Sequence, residues 1–72
     1  MRFEIRLIGE ETTSGTIFLH EVMERFDDAA DAKRYAEIHC WDGWNGVCIV
    51  DGDTETVDFG DRVLTYAEVS FG

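Results

Sequence analysis

The chain has 72 residues, of which 44% are hydrophobic and 12% aromatic, and it carries a formal net charge of −10. A domain this small has a thin core and little room for a deep catalytic cavity, while its aromatic content is too high for a disordered acidic tail. The negative charge argues against direct binding to nucleic acid or to an anionic membrane, and it favours a basic protein partner.

The N-terminal part of the chain predicts a β-hairpin. Charged and apolar residues alternate over residues 2–9 (RFEIRLIG), which is the period of a strand with one face on a core. The polar segment GEETTSG, residues 9–15, predicts the hairpin loop. A second strand is predicted over residues 16–25, although Ile17 and Val22 in this segment also fit a helical stripe.

A helix is predicted to begin after Asp27 and Asp28, which provide an N-cap and place acidic charge at the positive end of the helix dipole. Ala29, Ala32 and Ala36 recur at helical spacing, and these small side chains let the helix lie close to a sheet. The Asp-Gly and Asn-Gly turn signals in WDGWNG predict where the helix ends.

The remaining residues predict three further strands. The segment VCIVDGDTETVDF indicates strands at 47–50 and 55–59 around a DGDT turn, a pattern typical of a hairpin. A last strand is predicted over residues 62–71, where alternation resumes. The predicted fold is therefore a single α+β domain over residues 1–72, in the order ββαβββ: a five-stranded, mainly antiparallel sheet with one helix packed on one face.

The charge is concentrated in the second half of the chain. Residues 35–61 carry seven acidic residues and no basic residue, a net charge of −7. No apolar run approaches the roughly 20 residues of a membrane span, and the alternating opening segment differs from a signal peptide. We therefore expect a cytoplasmic protein that does not bind membranes, with Cys40 and Cys48 as free thiols.

The residue patterns predict no metal site, no cofactor and no catalytic centre. Cys40 and Cys48 lack the close cysteine spacing that organises zinc sites. Cys40 and His39 are adjacent on the predicted helix, so they do not face each other as a nucleophile and its base would. The segment DGDTETVDFGDR begins like a calcium loop, but it has Thr56 and Arg62 where such a loop requires glycine and glutamate. We therefore expect a protein that is not an enzyme.

The segment ADAKRYAEIHCWDGWNGVCIV, residues 30–50, resembles some of the small phage-encoded anti-CRISPR proteins that inhibit type I surveillance complexes. The resemblance lies in the Ala-Lys-Arg pattern of the helix, in Cys40 followed by an aromatic residue, and in Gly46-Val47 at the start of a strand. It implies a stoichiometric inhibitor that occupies the basic DNA-binding channel of such a complex in the host cytoplasm. No functional residues carry over, because the class shares no motif.

The charge pattern predicts a non-enzymatic acidic protein that occupies the basic DNA- or RNA-binding surface of another protein or complex. Residues two apart on a strand are about 6.6–6.8 Å apart, close to the spacing of successive phosphates along one DNA strand, so carboxylates would stand in for phosphates. An exposed tryptophan would add an apolar anchor. The predicted partner-binding residues are Asp42, Trp44, Asp51, Asp53, Glu55, Asp58 and Asp61.

The alternative interpretation is a small salt-adapted domain, or a subunit of a larger assembly, whose charge serves solubility alone. Such a protein should lose its fold without added salt, because its like charges repel one another. Trp41 and Trp44 likewise have a second interpretation, as side chains that cap the core beneath the helix. The sequence also leaves open whether the chain forms a homodimer.

Overall fold

The computed structural model describes residues 2–39 and 46–71, and within them the chain forms six strands and one α-helix. The strands are β1 Phe3–Glu11, β2 Ile17–Phe26, β3 Val47–Asp51, β4 Thr56–Asp58, β5 Val63–Thr65 and β6 Val69–Phe71, and the helix is α1 Ala29–His39. A 3₁₀ turn, Tyr66–Glu68, joins β5 to β6. The α+β class is confirmed, and the strand predicted over residues 16–25 is present as β2, shifted by one residue.

The strands form one sheet in the order β5-β4-β3-β1-β2-β6. All neighbouring pairs are antiparallel except β2 and β6, which are parallel. The prediction of five strands was wrong, since the segment 62–71 forms two. Glu68 ends the first of them: its carboxylate accepts hydrogen bonds from the backbone N–H of Thr65 (3.3 Å) and from the Thr65 hydroxyl (3.0 Å). This Thr-x-x-Glu pattern is a capping signal that the alternation of the segment concealed.

The short turn between β5 and β6 determines the shape of the sheet. β5 is the strand at one edge and β6 is the strand at the other, yet only three residues connect them. A connection this short requires the two edges to approach each other. The sheet therefore curls around an interior instead of lying open beneath the helix.

The curl produces two cores on opposite faces of the sheet. The outer core lies between the sheet and α1, and its buried residues are Phe3, Ile5, Ala32, Ala36, Val47 and Ile49. The inner core lies within the curl, and its buried residues are Ile17, Leu19, Cys48, Val50, Val57, Phe59 and Val69. β3 contributes to both cores, because successive side chains of a strand point to opposite faces. This double burial accounts for its uninterrupted apolar sequence.

Helix α1 begins as predicted. The carboxylate of Asp28 accepts a hydrogen bond from the N–H of Ala30 at 2.8 Å, which is the predicted N-cap. Ala32 and Ala36 are completely buried, so their small side chains bring the helix close to the sheet. Within the described part of the chain, no helix has the length and apolar character needed to cross a membrane.

Replacing Leu19 by alanine should lower the free energy of unfolding by about 2–5 kcal/mol, because it leaves a cavity in the inner core. Phe18 is the matched control: it points to the opposite face and is 37% exposed, so Phe18→Ala should cost less. Urea denaturation followed by circular dichroism measures both effects. Equal losses for the two variants would contradict the inner core described above.

Candidate binding surface

Two acidic segments leave the sheet side by side. Phe26, the last residue of β2, and Asp51, the last residue of β3, are both register partners of Phe3. These two strand ends are therefore two strand spacings apart, about 10 Å. The chain continues from Phe26 into Asp27 and Asp28, and from Asp51 into the turn before β4. We call the resulting surface the acidic end; its charged residues are Arg2, Asp27, Asp28, Asp51, Asp53 and Glu55.

Arg2 holds part of this surface in place. Its Nε and Nη2 atoms donate hydrogen bonds to the two carboxylate oxygens of Asp51, both at 2.9 Å. Its Nε atom also lies 3.3 Å from Oδ2 of Asp53. The hydrogen bonds from Arg2 lower the pKa of Asp51 to about 2, and the same contact raises the pKa of Arg2. Asp51 is therefore committed to an internal ion pair, and its main role is structural.

Asp53 and Glu55 lie in the turn between β3 and β4, and both are exposed. The two-residue strand spacing used to compare these acids with phosphates therefore does not describe them, because the turn interrupts the extended chain. Glu55 has a φ of 55°, a left-handed conformation that is uncommon for a residue with a side chain. Its carbonyl oxygen accepts a hydrogen bond from the N–H of Tyr66 at 3.2 Å, which ties this turn to the 3₁₀ turn.

A cleft of about 280 Å³ adjoins the acidic end. It forms because α1 packs mainly on β1, β2 and β3, and the β4–β5 hairpin extends beyond the helix. Phe3 and Ile49 are almost fully buried at its base, whereas Val63 at its rim is 58% exposed. The other residues that line the cleft are Arg2, Ala29, Lys33, Asp51, Thr56 and Asp58.

Asp58 presents a fixed carboxylate to this cleft. It is the register partner of both Ile49 and Val63, so all three side chains lie on the same face of the sheet. Its Oδ1 atom accepts a hydrogen bond from the N–H of Gly60 at 2.8 Å, and the residue is half-buried. None of the described basic side chains forms an ion pair with Asp58. The Asp58 carboxylate is thus held in position and can accept a hydrogen bond from a cationic group that binds in the cleft.

The structure brings together only part of the predicted site. Asp51, Asp53 and Glu55 share the acidic end, and Asp58 lines the cleft beside it. Asp61 is exposed in the turn that joins β4 to β5, at the other end of β4. Asp42 and Trp44 lie outside the described residues, as do Trp41 and Cys40.

Four residues of the surface were missed by the sequence prediction, namely Arg2, Asp27, Asp28 and Lys33. Asp27 and Asp28 were recognised as helix-capping residues, but their proximity to β3 depends on strand register. Arg2 and Asp51 are separated by 49 positions in the chain. Local periodicity gives no information about such a distant pairing, so Arg2 had no signal beyond its charge.

The described residues contain no cluster of metal ligands, and the cysteine among them is buried. Within residues 2–39 and 46–71, no group of three or more His, Cys, Asp or Glu side chains is placed to hold a metal ion. Cys48 is fully buried, and this burial raises the pKa of its thiol to about 12. A thiol with such a pKa is protonated at neutral pH and is a poor nucleophile.

Comparisons with protein family models, with curated proteins and with solved structures find no match to this chain. The resemblance to anti-CRISPR proteins therefore stays a prediction.

Replacing Asp51 by asparagine should lower the free energy of unfolding at pH 7, because Arg2 loses its charged partner. The pKa of Asp51 is lowered from 3.8 to about 2, so the ion pair stabilises the fold above about pH 4, and this contribution is lost as the pH falls through 2. Thermal denaturation between pH 2 and 7 should show the difference from the unmodified protein shrinking with acidity. Asp53→Asn is the control and should have a smaller effect. A difference that does not change with pH would contradict this role.

Replacing Glu55 by glycine should raise the free energy of unfolding by about 1 kcal/mol, because glycine adopts a left-handed backbone without steric cost. Glu55→Gln removes the same charge but keeps the Cβ atom. The difference in urea midpoint between the two variants therefore isolates the backbone effect. If the glutamine variant gained as much stability, charge repulsion would be the cause and the backbone argument would be wrong.

Proposed function

We propose that this chain is a non-enzymatic acidic protein that binds the basic surface of a nucleic-acid-binding protein or complex, and so prevents nucleic acid from binding there. The acidic end supports this proposal. It places five carboxylates and one guanidinium, a net charge of −4, at the ends of β2 and β3, which both pair with β1, and at the start of α1. Charges held in defined positions steer association and select complementary partners.

The carboxylates of the acidic end divide into two roles. Asp51 binds Arg2 and Asp28 caps α1, so these two hold the surface in shape. Asp27, Asp53 and Glu55 are exposed and would face the lysine and arginine residues of the partner. The surface thus resembles a short row of phosphates in its negative charge. The spacing of its exposed carboxylates is set by the turn between β3 and β4 and not by a single extended strand.

The narrower form of the proposal is an anti-CRISPR-like mimic of nucleic acid, which acts by stoichiometric occupation without catalysis. This form agrees with the resemblance in residues 30–50. It places the protein in the cytoplasm, which would be that of the host cell for a phage-encoded chain.

A salt-adapted domain is the second candidate function. It is favoured by exposed acids elsewhere on the molecule, namely Glu10, Glu11, Glu21, Glu24 and Glu37. Circular dichroism without added salt separates the two candidates. A salt-adapted protein should unfold there through self-repulsion, whereas a binding protein should keep its fold.

The proposal is tested by capture from bacterial lysate on the immobilised protein, with elution by salt and competition by duplex DNA. The test variant carries Asp53→Lys and Glu55→Lys, and it leaves the structural Asp51 unchanged. The control carries Glu10→Lys and Glu11→Lys. This pair changes the net charge equally but lies at the end of β1 opposite Phe3, about 25 Å along the strand.

We expect the unmodified protein and the control to retain one nucleic-acid-binding protein or complex that DNA displaces, and the test variant to lose it. Equal capture by all three proteins would show that the acidic end is not the binding surface. Equal loss in both variants, or capture of many basic proteins in proportion to their abundance, would assign the charge to solubility.

A further inference from the structure

We infer that the cleft between α1 and the β4–β5 hairpin receives one basic side chain of the partner, an arginine or a lysine, with its charged group at Asp58. This inference rests on the proposed function and specifies how the partner would be recognised. It depends on three features of the cleft: its unpaired carboxylate, its apolar base and the sign of the surrounding charge.

The unpaired carboxylate is that of Asp58. Its Oδ1 atom is held by the N–H of Gly60, which leaves Oδ2 as an acceptor on a side chain of fixed orientation. Because Asp58 is half-buried, its attraction for an incoming cation is screened less than that of a fully exposed acid. A cation would also satisfy a carboxylate that pairs with no described basic group.

The apolar base suits the rest of such a side chain. Arginine and lysine bury their methylene stems against apolar surface while the charged head remains at a polar rim. Phe3, Ile49 and Val63 supply that surface beside Asp58. The cleft has a volume of about 280 Å³, which is enough for one long side chain and is at the small end of the range for ligand pockets, roughly 300–1,000 Å³.

The acidic end beside the cleft favours a cation, whereas the four charged residues that line the cleft itself sum to zero. Arg2 is already neutralised by Asp51 and Asp53, and the adjoining acidic end has a net negative charge. Lys33 on α1 also lines the cleft and is exposed, and no described acidic side chain forms an ion pair with it. It would repel a cationic occupant and attract an anionic one. Removing the charge of Lys33 should therefore strengthen binding of a cationic occupant, and removing the charge of Asp58 should weaken it.

The test uses the full chain, labelled with ¹⁵N, and three acetylated and amidated pentapeptides, Gly-Gly-Xaa-Gly-Gly, in which the central residue is arginine, lysine or uncharged citrulline. Peptide titration followed by amide chemical shifts measures both the affinity and the position of binding. The variants are Asp58→Asn, Lys33→Met and, as the matched control, Asp61→Asn, which removes an exposed carboxylate three positions away. The spectrum of each variant alone reports whether it is folded.

We expect the arginine or the lysine peptide to shift the amides of Ile49, Asp58 and Val63, and the citrulline peptide to leave them unchanged. Asp58→Asn should weaken binding about fivefold or more, Asp61→Asn should change it less than twofold, and Lys33→Met should strengthen it about twofold. The tighter of the two cationic peptides identifies the preferred residue.

Four outcomes would overturn the inference. The citrulline peptide could bind as tightly as the cationic peptides, or the two aspartate variants could weaken binding equally. Lys33→Met could weaken binding, or the peptides could cause no amide shifts in the cleft. Such a failure is distinguishable from failure of the proposed function. If lysate capture is lost only in the Asp53/Glu55 variant while the cleft binds no cation, the proposed function stands and the cleft assignment falls. If the peptides bind at Asp58 but the protein captures no nucleic-acid-binding partner, the proposed function falls.

Discussion

The three-residue connection between β5 and β6 shapes both cores of this protein. Because these strands occupy opposite edges of the sheet, the connection forces the sheet to curl and creates the inner core. The curl leaves the outer face for α1, and it makes β3 a strand buried on both sides. Tyr66 extends the constraint to the surface: its N–H binds Glu55, and its ring packs 5.0 Å from that of Phe71.

Strand register places several basic residues beside acidic partners. Arg6 donates a hydrogen bond to the carbonyl oxygen of His20 at 2.9 Å, and its guanidinium lies 5.0 Å from the centre of the Phe71 ring. Arg6 and Arg25 both form ion pairs with Glu4, and Arg2 pairs with Asp51. Three of the six basic residues are thus paired with acids on the sheet itself. The exposed carboxylates are left with fewer cations nearby, which strengthens the negative field of the surface.

The proposed binding surface would combine two kinds of recognition. At the acidic end, exposed carboxylates attract basic groups over a distance of about one Debye length, and salt screens this attraction. In the cleft, Asp58 offers a fixed acceptor beside apolar side chains, where contact requires a matching shape. A surface of this kind gains its association rate from the first part and its selectivity from the second.

Local patterns in the sequence were enough to predict the α+β class, the approximate position of the helix and of most strands, the Asp28 cap and the acidic character of the second half. These features depend on local periodicity, capping and charge, which neighbouring residues specify. Long-range packing was needed to show that residues 62–71 form two strands on opposite edges, that Phe3 pairs with both Phe26 and Asp51, and that Asp58 lies in a cleft where no described basic side chain forms an ion pair with it. Each of these depends on contacts between residues distant in the chain, which strand register and the curl of the sheet establish together.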